Sequence, residues 1–314
     1  MTGFAVDLGA VPEALTGGTV AIGNFDGVHR GHQAVLAAAM AGPGPVTALT
    51  FEPHPRAYFS GAPVFRLTPP AEKARLIAAL GLAGMVVAPF DAALAALTAD
   101  AFIDEVLVGA LGARHVAVGH DFKFGAKRSG SAARLAADPR FSVTVVEAFS
   151  DGDAAVVSSS RIRSLLADGA PDRAAALLGY RYTVTSPIVH GQKRGREMGY
   201  PTANQSLPPE TTLRHGIYAV RILIDGTWRD GVASYGRRPT FDNGAPLLET
   251  FVFDYAGDLY GRDLPVTLVA FLRPEMKFDG MEPLIAQMDE DSRNARAALA
   301  GLAPLSPLDR AINF

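Results

Sequence analysis

The sequence of 314 residues contains no cysteine. This absence excludes a disulfide framework, a thiolate zinc site and catalysis by a cysteine nucleophile. An excess of positive charge is also missing, because 29 lysine and arginine residues stand against 32 aspartate and glutamate residues, for a net charge of −3. We therefore expect no field over the whole chain that would hold a nucleic-acid backbone, so any polyanion must be bound locally.

Long hydrophobic runs are absent as well. The chain nowhere has eighteen consecutive apolar residues, and its first residues, MTGFAVDLGAVPEALTGG, have no positively charged start before an apolar stretch. We therefore expect a soluble, cytoplasmic protein without membrane contact. What the chain does contain, 48% hydrophobic and 19% charged residues, is typical of a globular protein. The length favours two domains, with one large barrel as the alternative.

The first half of the chain alternates short apolar runs with alanine- and leucine-rich helical stretches, a pattern that predicts an α/β fold with a doubly wound parallel sheet. Thr68 and Thr98 precede two of these helices and are predicted to cap them. Strands are predicted at 19–23, 45–51, 85–88, 115–119 and 141–148, and helices at 31–41, 70–80, 99–111, 131–137, 161–168 and 171–178.

Near residue 180 the apolar period changes to two, which predicts a mostly antiparallel half that closes into a small β-barrel. Asp225 and Gly226 join two of the strands and predict a type I′ turn. Apolar residues at helical spacing over 282–302 predict a C-terminal helix packed on the barrel. Strands are predicted at 182–190, 216–224, 227–235, 248–255 and 264–272.

The first predicted strand runs directly into the decapeptide GNFDGVHRGH, residues 23–32, and then into a helix. Glycines let the backbone approach a ligand, and the helix start offers unpaired N–H groups to a phosphate. His29 and His32 project to the same side of the first turn, where they can donate hydrogen bonds to phosphoryl oxygens. Either histidine alone would be more typical of a helix cap or a surface residue, but the whole decapeptide indicates a phosphate site.

A second motif, VSSSRIR at residues 157–163, closes the α/β half. Consecutive hydroxyls before a helix are ordinary caps when they stand alone. Arg161 and Arg163, however, add positive charge at the helix N-terminus, where cations oppose the helix dipole. A bound anion would relieve this conflict, and phosphate is the obvious candidate.

A third motif, VHGQKRGREMGYPTAN at residues 189–204, begins the β half. Its glycines allow a backbone cradle, its basic residues supply positive charge, and Thr202 and Asn204 offer neutral oxygen ligands for Mg²⁺ beside phosphates. A glycine- and lysine-rich loop alone is more often a solvated turn, but the PTAN that follows it favours a nucleotide loop. The cradle and charge residues are Gly191, Lys193, Arg194, Gly195, Arg196 and Gly199.

These motifs together resemble a known family. The HxGH spacing with a later SSSxxR is similar to the nucleotidyltransferase superfamily. The decapeptide, FEPHP at 51–55 and VGHDFKFGAKRSG at 118–130 resemble the FMN adenylyltransferase module of bacterial bifunctional riboflavin kinase/FAD synthetases, and 189–204 resembles the flavokinase loop. The resemblance covers nearly the whole chain and implies a nucleotidyltransferase domain at 1–179 and a riboflavin kinase domain at 180–314.

The resemblance implies that ATP phosphorylates riboflavin to FMN and that a second ATP adenylylates FMN to FAD, with Mg²⁺ present and pyrophosphate released. Glu249 is implied as the kinase base, and His29, His32 and Arg163 as the catalytic groups of adenylyl transfer. Ligand contacts are implied for Gly23, Asn24, Phe25, Asp26, Gly27, Gly31, Asp121, Phe124, Ser158, Ser159, Ser160 and Arg161 in the first domain, and for Gly191, Lys193, Gly195, Gly199, Thr202 and Asn204 in the second.

For some residues the ligand interpretation competes with a structural one. Phe122 and Phe124 are candidates for the flavin ring or for plain packing, and His54 is a candidate for ligand contact or for holding a Pro-flanked turn.

Two other classes of function also compete. An aminoacyl-tRNA synthetase or another HxGH transferase would need a basic surface and a KMSKS-like motif, and neither is found in the sequence. A barrel that binds single-stranded nucleic acid would need basic strands interleaved with aromatics, whereas lysine and arginine cluster in the glycine loop. We expect small-molecule substrates and no nucleic-acid partner.

Overall fold

The structure is a computed structural model that describes residues 3–152, 154–191, 198–237 and 246–314. Its contacts divide the chain into two compact units, Met1–Ser159 and Ser160–Phe314. Two helices, α7 (Ser159–Ala167) and α8 (Pro171–Leu178), therefore group with the second unit. The sequence motifs place the domain boundary after these helices, at 179, and that boundary stays a prediction.

The first unit contains a six-stranded parallel sheet in the order β1-β4-β3-β2-β5-β8. The central strands read as continuous apolar runs because helices cover both faces of such a sheet. The strands are β1 (Ala5–Asp7), β2 (Thr19–Ile22), β3 (Val46–Glu52), β4 (Gly84–Pro89), β5 (His115–Gly119) and β8 (Ser142–Val146), and β6 (Lys123–Phe124) pairs with β7 (Gly130–Ser131) in a separate ribbon.

Helices connect these strands, so the α/β prediction for the first half is confirmed. They are α1 (Arg30–Met40), α2 (Pro55–Ser60), α3 (Pro70–Ala79), α4 (Ala92–Ala96), α5 (Ala99–Ala101) and α6 (Ala132–Ala136), with a π-helix (Phe102–Ala110) continuing from α5 and 3₁₀ turns at Leu8–Ala10, Glu13–Leu15 and Ala126–Arg128. The edge strand β1 and the helices α2 and α4 escaped the sequence prediction because they are too short to show a period.

Two local predictions differ from the structure. Thr68 does not cap α3, whose N-cap is Pro69, because the Thr68 hydroxyl instead accepts a hydrogen bond from the Gly27 N–H at 2.8 Å. Thr98 does cap α5, but the predicted α-helix over 99–111 becomes a π-helix after three residues. The wider turns place Phe102, Val106 and Leu111, at spacings of four and five, on one buried face.

The second unit contains a closed antiparallel barrel in the order β10-β13-β12-β11-β14-β9, which confirms the predicted barrel. Asp225 and Gly226 have φ values of 49° and 75°, as a type I′ turn requires. The strands are β9 (Thr183–Val189), β10 (Thr202–Ser206), β11 (Gly216–Ile224), β12 (Thr227–Arg237), β13 (Pro246–Val252) and β14 (Asp263–Arg273).

The long C-terminal helix, Met281–Leu299, packs on this barrel as predicted. Its Ala295 and Leu299 are buried against apolar residues of the strands, including Val232 and Val269. No helix in the described ranges is both long enough and apolar enough to cross a membrane.

A terminal helix, Pro307–Asn313, was not expected from the sequence. The fully buried Asp309 forms an ion pair with the guanidinium of Arg181 and accepts the Arg181 N–H at 3.0 Å. Asn313 accepts hydrogen bonds from the hydroxyls of Thr183 and Thr267, each at 3.2 Å. Leu308 and Ile312 are buried as well, so polar and apolar contacts together hold the helix, which at 7 residues is too short to show a repeated apolar pattern.

Candidate active sites

The first candidate site lies where β2 ends, at the point where the order of the parallel sheet reverses direction. The chain proceeds from β2 to β3 and β4 on one side and places β5 on the other. Open α/β sheets bind ligands in the crevice beyond the carboxyl ends of the strands at such a point. The decapeptide 23–32 begins directly after Ile22, so it occupies this position.

The loop of the decapeptide has an unusual backbone conformation. Phe25, Gly27 and Val28 have φ values of 48°, 85° and 35°. Glycine adopts such values freely, but they are strained for phenylalanine and especially for β-branched valine. Strain of this kind persists only where surrounding contacts enforce it, and it clusters at functional sites.

Asp26 and Thr68 hold the loop in place through hydrogen bonds. The Asp26 carboxylate is 1% exposed and accepts hydrogen bonds from the Thr68 N–H at 3.0 Å and from its hydroxyl at 3.4 Å. The Thr68 hydroxyl in turn accepts the Gly27 N–H. Asp26 therefore shapes the backbone and is not open to a ligand through these atoms.

The two predicted histidines form a stacked pair. Their ring centroids are 3.6 Å apart with an interplanar angle of 15°. Nδ1 of His29 caps α1 by accepting the His32 N–H at 3.3 Å, and the Phe25 ring meets His32 edge-on at 5.4 Å. The stack fixes both imidazoles at the helix N-terminus, where an anion is favoured.

Both imidazoles are neutral at physiological pH. Burial lowers the pKa of His29 to about 4, although the nearby Asp26 carboxylate opposes this shift. Burial also lowers the pKa of His32 well below its usual value, and the neighbouring His29 and Lys73 lower it further. Each neutral ring carries one N–H, so the pair can donate hydrogen bonds without carrying charge.

Two buried side-chain atoms beside the loop have no hydrogen-bond partner within the described part of the chain. They are Oδ1 of Asn24 and Nδ1 of His32. Buried polar atoms are almost always satisfied in native proteins, so such atoms at a strand-to-helix junction are suited to a ligand. Both residues belong to the predicted decapeptide.

A buried lysine next to this loop was missed by the sequence analysis. Lys73 on α3 is 1% exposed, and its Nζ donates to the Thr50 hydroxyl at 3.0 Å and to Glu52 Oε1 at 3.4 Å. Arg66 forms an ion pair with the same Glu52 oxygen. Nothing in the local sequence distinguishes Lys73 from a solvent-facing lysine, because the burial arises from packing of α3 against the sheet.

The serine-rich motif also joins this loop. Ser159 begins α7, and its hydroxyl donates to the backbone carbonyl of Asp26 at 2.7 Å. Ser158 precedes this helix start, and Ser160, Arg161 and Arg163 follow on its first turns. The structure therefore connects the two predicted motifs through Ser159.

The remaining predicted contacts of the first unit lie in two environments. Gly23 and Gly31 frame the histidine loop, and a Cβ on Gly31 would come within 3.2 Å of the His29 ring. Asp121 is exposed on the loop after β5. Phe124 is buried in the hydrophobic core and stacks on Phe122 at 5.7 Å, so its ring packs inside the unit.

An exposed aromatic side chain, absent from the sequence predictions, lies beyond the carboxyl end of β3. Phe59 on α2 is 72% exposed and contacts Tyr58 and Phe90 edge-on, with centroid distances of 5.3 Å and 5.6 Å. His54 caps this helix by accepting the Arg56 N–H, which agrees with the turn-holding interpretation. The signal for Phe59 is the pair of aromatic residues that follows FEPHP.

The second candidate site lies on the adjacent barrel strands β10 and β13. Asn204 and Glu249 are direct partners in the strand register. In the orientation that satisfies its neighbours, the Asn204 amide donates to Thr202 Oγ1 at 3.1 Å and to Glu249 Oε1 at 3.3 Å, and accepts the Gly191 N–H at 3.2 Å. Four predicted residues thus meet in one hydrogen-bonded cluster.

Gly191 is required by this cluster. A Cβ at this position would lie 1.7 Å from one terminal atom of the Asn204 amide, so any side chain would displace the amide. Gly199 has a φ of 81° with open space around it. Lys193, Arg194, Gly195 and Arg196 lie outside the described residues.

A pocket of about 610 Å³ opens beside the cluster. Thr202 and Glu249 contribute polar groups to its wall, and most of the remaining lining is apolar. This is the usual character of a small-molecule site, in which a few polar groups orient a largely apolar ligand. The apolar lining includes Met198, Tyr200, Ile217, Phe251, Phe278, Leu284 and Met288.

A buried ion pair joins the two sides of the pocket. Arg273 on β14 donates to both carboxylate oxygens of Asp291, at 2.7 Å and 2.6 Å, and Asp291 belongs to the long C-terminal helix. Asp291 is 4% exposed. Both residues line the pocket, and the sequence analysis assigned neither of them a role.

Comparison with known families gives two matches that together span most of the chain. A family described as FAD synthetase matches residues 11–161, and a family described as riboflavin kinase matches residues 178–299. The first range contains the histidine loop and the serine-rich motif as far as Arg161. The second contains the cluster around Asn204 and the pocket.

Individual relatives agree with these matches. A bifunctional riboflavin kinase/FMN adenylyltransferase from Listeria monocytogenes is 41% identical over 291 residues, covering 88% of this chain and 91% of the relative. One from Escherichia coli is 39% identical, covering 89% and 92%. A solved structure described as a macrolide-efflux protein from Streptococcus pneumoniae is 28% identical, with a TM-score of 0.83 and coverage of 93% and 99%.

Proposed function

Because this chain belongs to the bifunctional riboflavin kinase/FMN adenylyltransferase family, we propose that its two candidate sites divide the two reactions between them. The chain phosphorylates riboflavin to FMN and adenylylates FMN to FAD, with ATP as the donor in both steps. We assign the kinase step to the Asn204–Glu249 cluster and the adenylyl step to the histidine loop. We also propose a cytoplasmic location, where ATP is available to both steps.

The observation that carries the kinase assignment is the contact of Asn204 with Glu249, a residue that lines the pocket. The 5′-hydroxyl of the ribityl chain attacks the γ-phosphorus of ATP, ADP leaves, and the Glu249 carboxylate accepts the hydroxyl proton. The apolar part of the pocket accommodates the isoalloxazine ring. We assign the phosphates to the predicted glycine-rich loop that follows, because the Gly191 N–H is already donated to the Asn204 amide oxygen.

Thr202 and Asn204 fit a magnesium ion by the chemistry of their donors. Hydroxyl and amide oxygens beside a carboxylate are hard ligands, and an amide oxygen that accepts one hydrogen bond keeps a second lone pair. When bound, Mg²⁺ neutralises charge on the phosphates. No group of three or more histidine, cysteine, aspartate or glutamate side chains in the described ranges forms an alternative metal site.

The adenylyl step requires no base, because the FMN phosphate is already ionised at neutral pH. A phosphate oxygen of FMN attacks the α-phosphorus of ATP, and pyrophosphate leaves with the bonding electrons. His29 and His32, held neutral and stacked at the start of α1, donate N–H groups to the phosphoryl oxygens as charge develops there. The family resemblance implies further donors at Arg161 and Arg163, whereas the Ser159 hydroxyl already donates to the Asp26 carbonyl.

We assign the exposed Phe59 to the flavin ring in this step, in place of the buried Phe124. An aromatic face that is 72% exposed can stack on an isoalloxazine ring, whereas a ring inside the core cannot. The remaining predicted contacts, from Asn24 to Gly31, surround the phosphates through the loop backbone.

The division of labour is tested by measuring each product separately. Purified variants are incubated with ATP, Mg²⁺ and either riboflavin or FMN, and FMN and FAD are separated by chromatography. Glu249→Ala is expected to abolish FMN formation while FAD still forms from supplied FMN. The double variant His29→Ala/His32→Ala is expected to show the reverse, with FAD formation reduced about 100-fold or more.

Each variant controls for the folding of the other, because the same chain retains one activity. Glu282→Ala, an exposed carboxylate on the long C-terminal helix, is the matched control for Glu249→Ala and is expected to keep both activities. Loss of both activities in a folded Glu249 variant would refute the assignment. Unchanged FAD formation in the histidine variant would move the adenylyl site elsewhere.

A further inference from the structure

Lys73 has no role in the two reactions as assigned above. We propose that it is a positioning residue for adenylyl transfer, which acts on the histidine loop through Thr50 and through its positive charge. The inference rests on the assignment of adenylyl transfer to that loop. Lys73 lies on α3, outside all of the sequence motifs, and makes no contact in the kinase cluster.

The first step is the hydrogen-bond path from Lys73 to the loop. Its ammonium donates to the Thr50 hydroxyl at 3.0 Å, and that hydroxyl donates to the backbone carbonyl of Asn24 at 3.1 Å. Asn24 precedes Phe25, the first residue of the loop with a positive φ. Hydrogen bonds in a buried chain polarise one another, so the ammonium strengthens the contact that holds the Asn24 carbonyl.

The second step concerns the cost of the buried cation. Placing an ammonium group in the interior is unfavourable unless it is paired. Lys73 shares Glu52 with Arg66, so a single carboxylate serves two cations, and burial lowers the pKa of Lys73 despite the Glu52 and Asp26 carboxylates nearby. If packing alone were needed, a methionine of similar length would fill this position at lower cost.

The third step is the effect on the imidazole pair. The groups that act on the charge of His32 are His29, from the start of the same helix, and Lys73, from α3. Around Lys73 itself lie Glu52 on β3, Arg66 before α3 and Asp26 on the loop. The positive charge of Lys73 disfavours a second positive charge on His32, so this ring stays in the form that donates one N–H.

The test uses Lys73→Met, which keeps the length of the side chain and removes its charge and donors. Glu52 retains Arg66 in this variant, so no carboxylate is left unpaired. We expect FAD formation from FMN to fall about ten- to one-hundredfold, as for displaced catalytic groups, while FMN formation from riboflavin is unchanged. Arg114→Met, which removes an exposed cation before the amino end of β5, is the matched control and is expected to behave as the unaltered chain.

A readout independent of activity is the titration of the His32 side chain, followed by NMR. We expect the midpoint in Lys73→Met to lie above that of the unaltered chain, because protonation no longer places two cations together. A role in packing alone would leave this midpoint unchanged. If His32 of the unaltered chain titrates near pH 6.5, the electrostatic part of the proposal is wrong, whatever the variants do to FAD formation.

Thr50→Val tests the hydrogen-bond path separately and covers the case in which Lys73→Met does not fold. Thr50 is fully buried, and valine preserves its shape while removing the hydroxyl. We expect slower FAD formation without a change in the His32 midpoint. Full FAD formation by Thr50→Val would overturn the hydrogen-bond path. If His29→Ala/His32→Ala loses FAD formation but Lys73→Met keeps it, the assignment of the site stands and the inference about Lys73 fails.

Discussion

A single histidine in this chain connects local structure to chemistry. His29 ends the strained loop, caps α1 through its Nδ1 and stacks on His32. The cap requires a neutral ring, because a protonated imidazole has no lone pair to accept the His32 N–H. Burial at the start of α1 lowers the pKa of His29 to about 4, so the ring is neutral in the form that the cap requires.

The same shift predicts how the stability of the first unit depends on pH. The pKa of His29 is 6.5 in the unfolded chain and about 4 in the folded chain. Between these values the unfolded state holds more protons, so the free energy of unfolding decreases as the pH falls through this window. The shift corresponds to a loss of up to about 3 kcal/mol.

Urea unfolding followed by circular dichroism at pH 7.5 and pH 4.5 measures this effect. His29→Asn keeps a capping side chain but cannot titrate, so it is expected to lose less stability over this range than the unaltered chain. His120→Asn, which makes the same substitution at an exposed position of the first unit, serves as the control. Equal pH dependence in His29→Asn and the unaltered chain would contradict the prediction.

At the scale of elements, the long C-terminal helix has two functions along its length. Its second half buries Ala295 and Leu299 against the barrel, whereas Leu284 and Met288 in its first half line the pocket. The amphipathic pattern in the sequence predicts one continuous packing face for both. The Arg273–Asp291 pair lies between the two halves and fixes the helix to β14 at the edge of the pocket.

From this placement we predict that Asp291 supports both the stability of the barrel and flavin binding. Asp291→Asn leaves the Arg273 guanidinium without its buried counter-charge and is expected to destabilise the barrel by about 3 kcal/mol. Because the helix forms one wall of the pocket, the KM for riboflavin is expected to rise. Thermal unfolding and kinase kinetics measure the two effects.

The same helix provides a matched control. Glu290 pairs with Arg293 at the surface, so Glu290→Gln removes a charge from the adjacent position without opening the pocket. Exposed pairs of this kind contribute little, and we expect both thermal stability and riboflavin KM to stay close to those of the unaltered chain. The function of the Arg273–Asp291 pair would be refuted if the two variants behaved alike.

At the scale of the whole molecule, the chain contains two units with unrelated architectures, a parallel sheet and a closed barrel. We propose one phosphate site in each unit, at the N-terminus of α1 in the first and at the predicted loop that follows Gly191 in the second. We therefore expect two independent nucleotide sites per chain.

Isothermal titration with a non-hydrolysable ATP analogue and Mg²⁺ tests this stoichiometry. The unaltered chain is expected to bind two equivalents, whereas Gly191→Ala is expected to bind one, because its Cβ would displace Asn204. Gly9→Ala, with open space around the added methyl group, is the control and keeps two equivalents. One equivalent in the unaltered chain, or two in Gly191→Ala, would contradict the assignment.

Much of the architecture was predictable because it depends on local rules. The central strands of the sheet are continuous apolar runs, and helix α8 begins and ends at its predicted residues, Pro171 and Leu178, with Gly179 after it at a φ of 78°. Strand β10 was missed because TANQS is polar and has no apolar alternation. Its place in the barrel depends on pairing with β13 and β9, residues that are distant in sequence.

The candidate sites likewise combine features that follow from local sequence with features that depend on distant residues. Glycine spacing, paired histidines and the PTAN motif are local features, so the amino-acid sequence by itself determined which family the chain resembles and where its two candidate phosphate sites are predicted. Tertiary structure decided the rest: that Asn204 faces Glu249, that Phe124 is buried while Phe59 is exposed, and that Lys73 is enclosed beneath the loop. The reason is physical: the burial of a side chain and the charges around it depend on residues that are far apart in the sequence, and only folding brings those residues together.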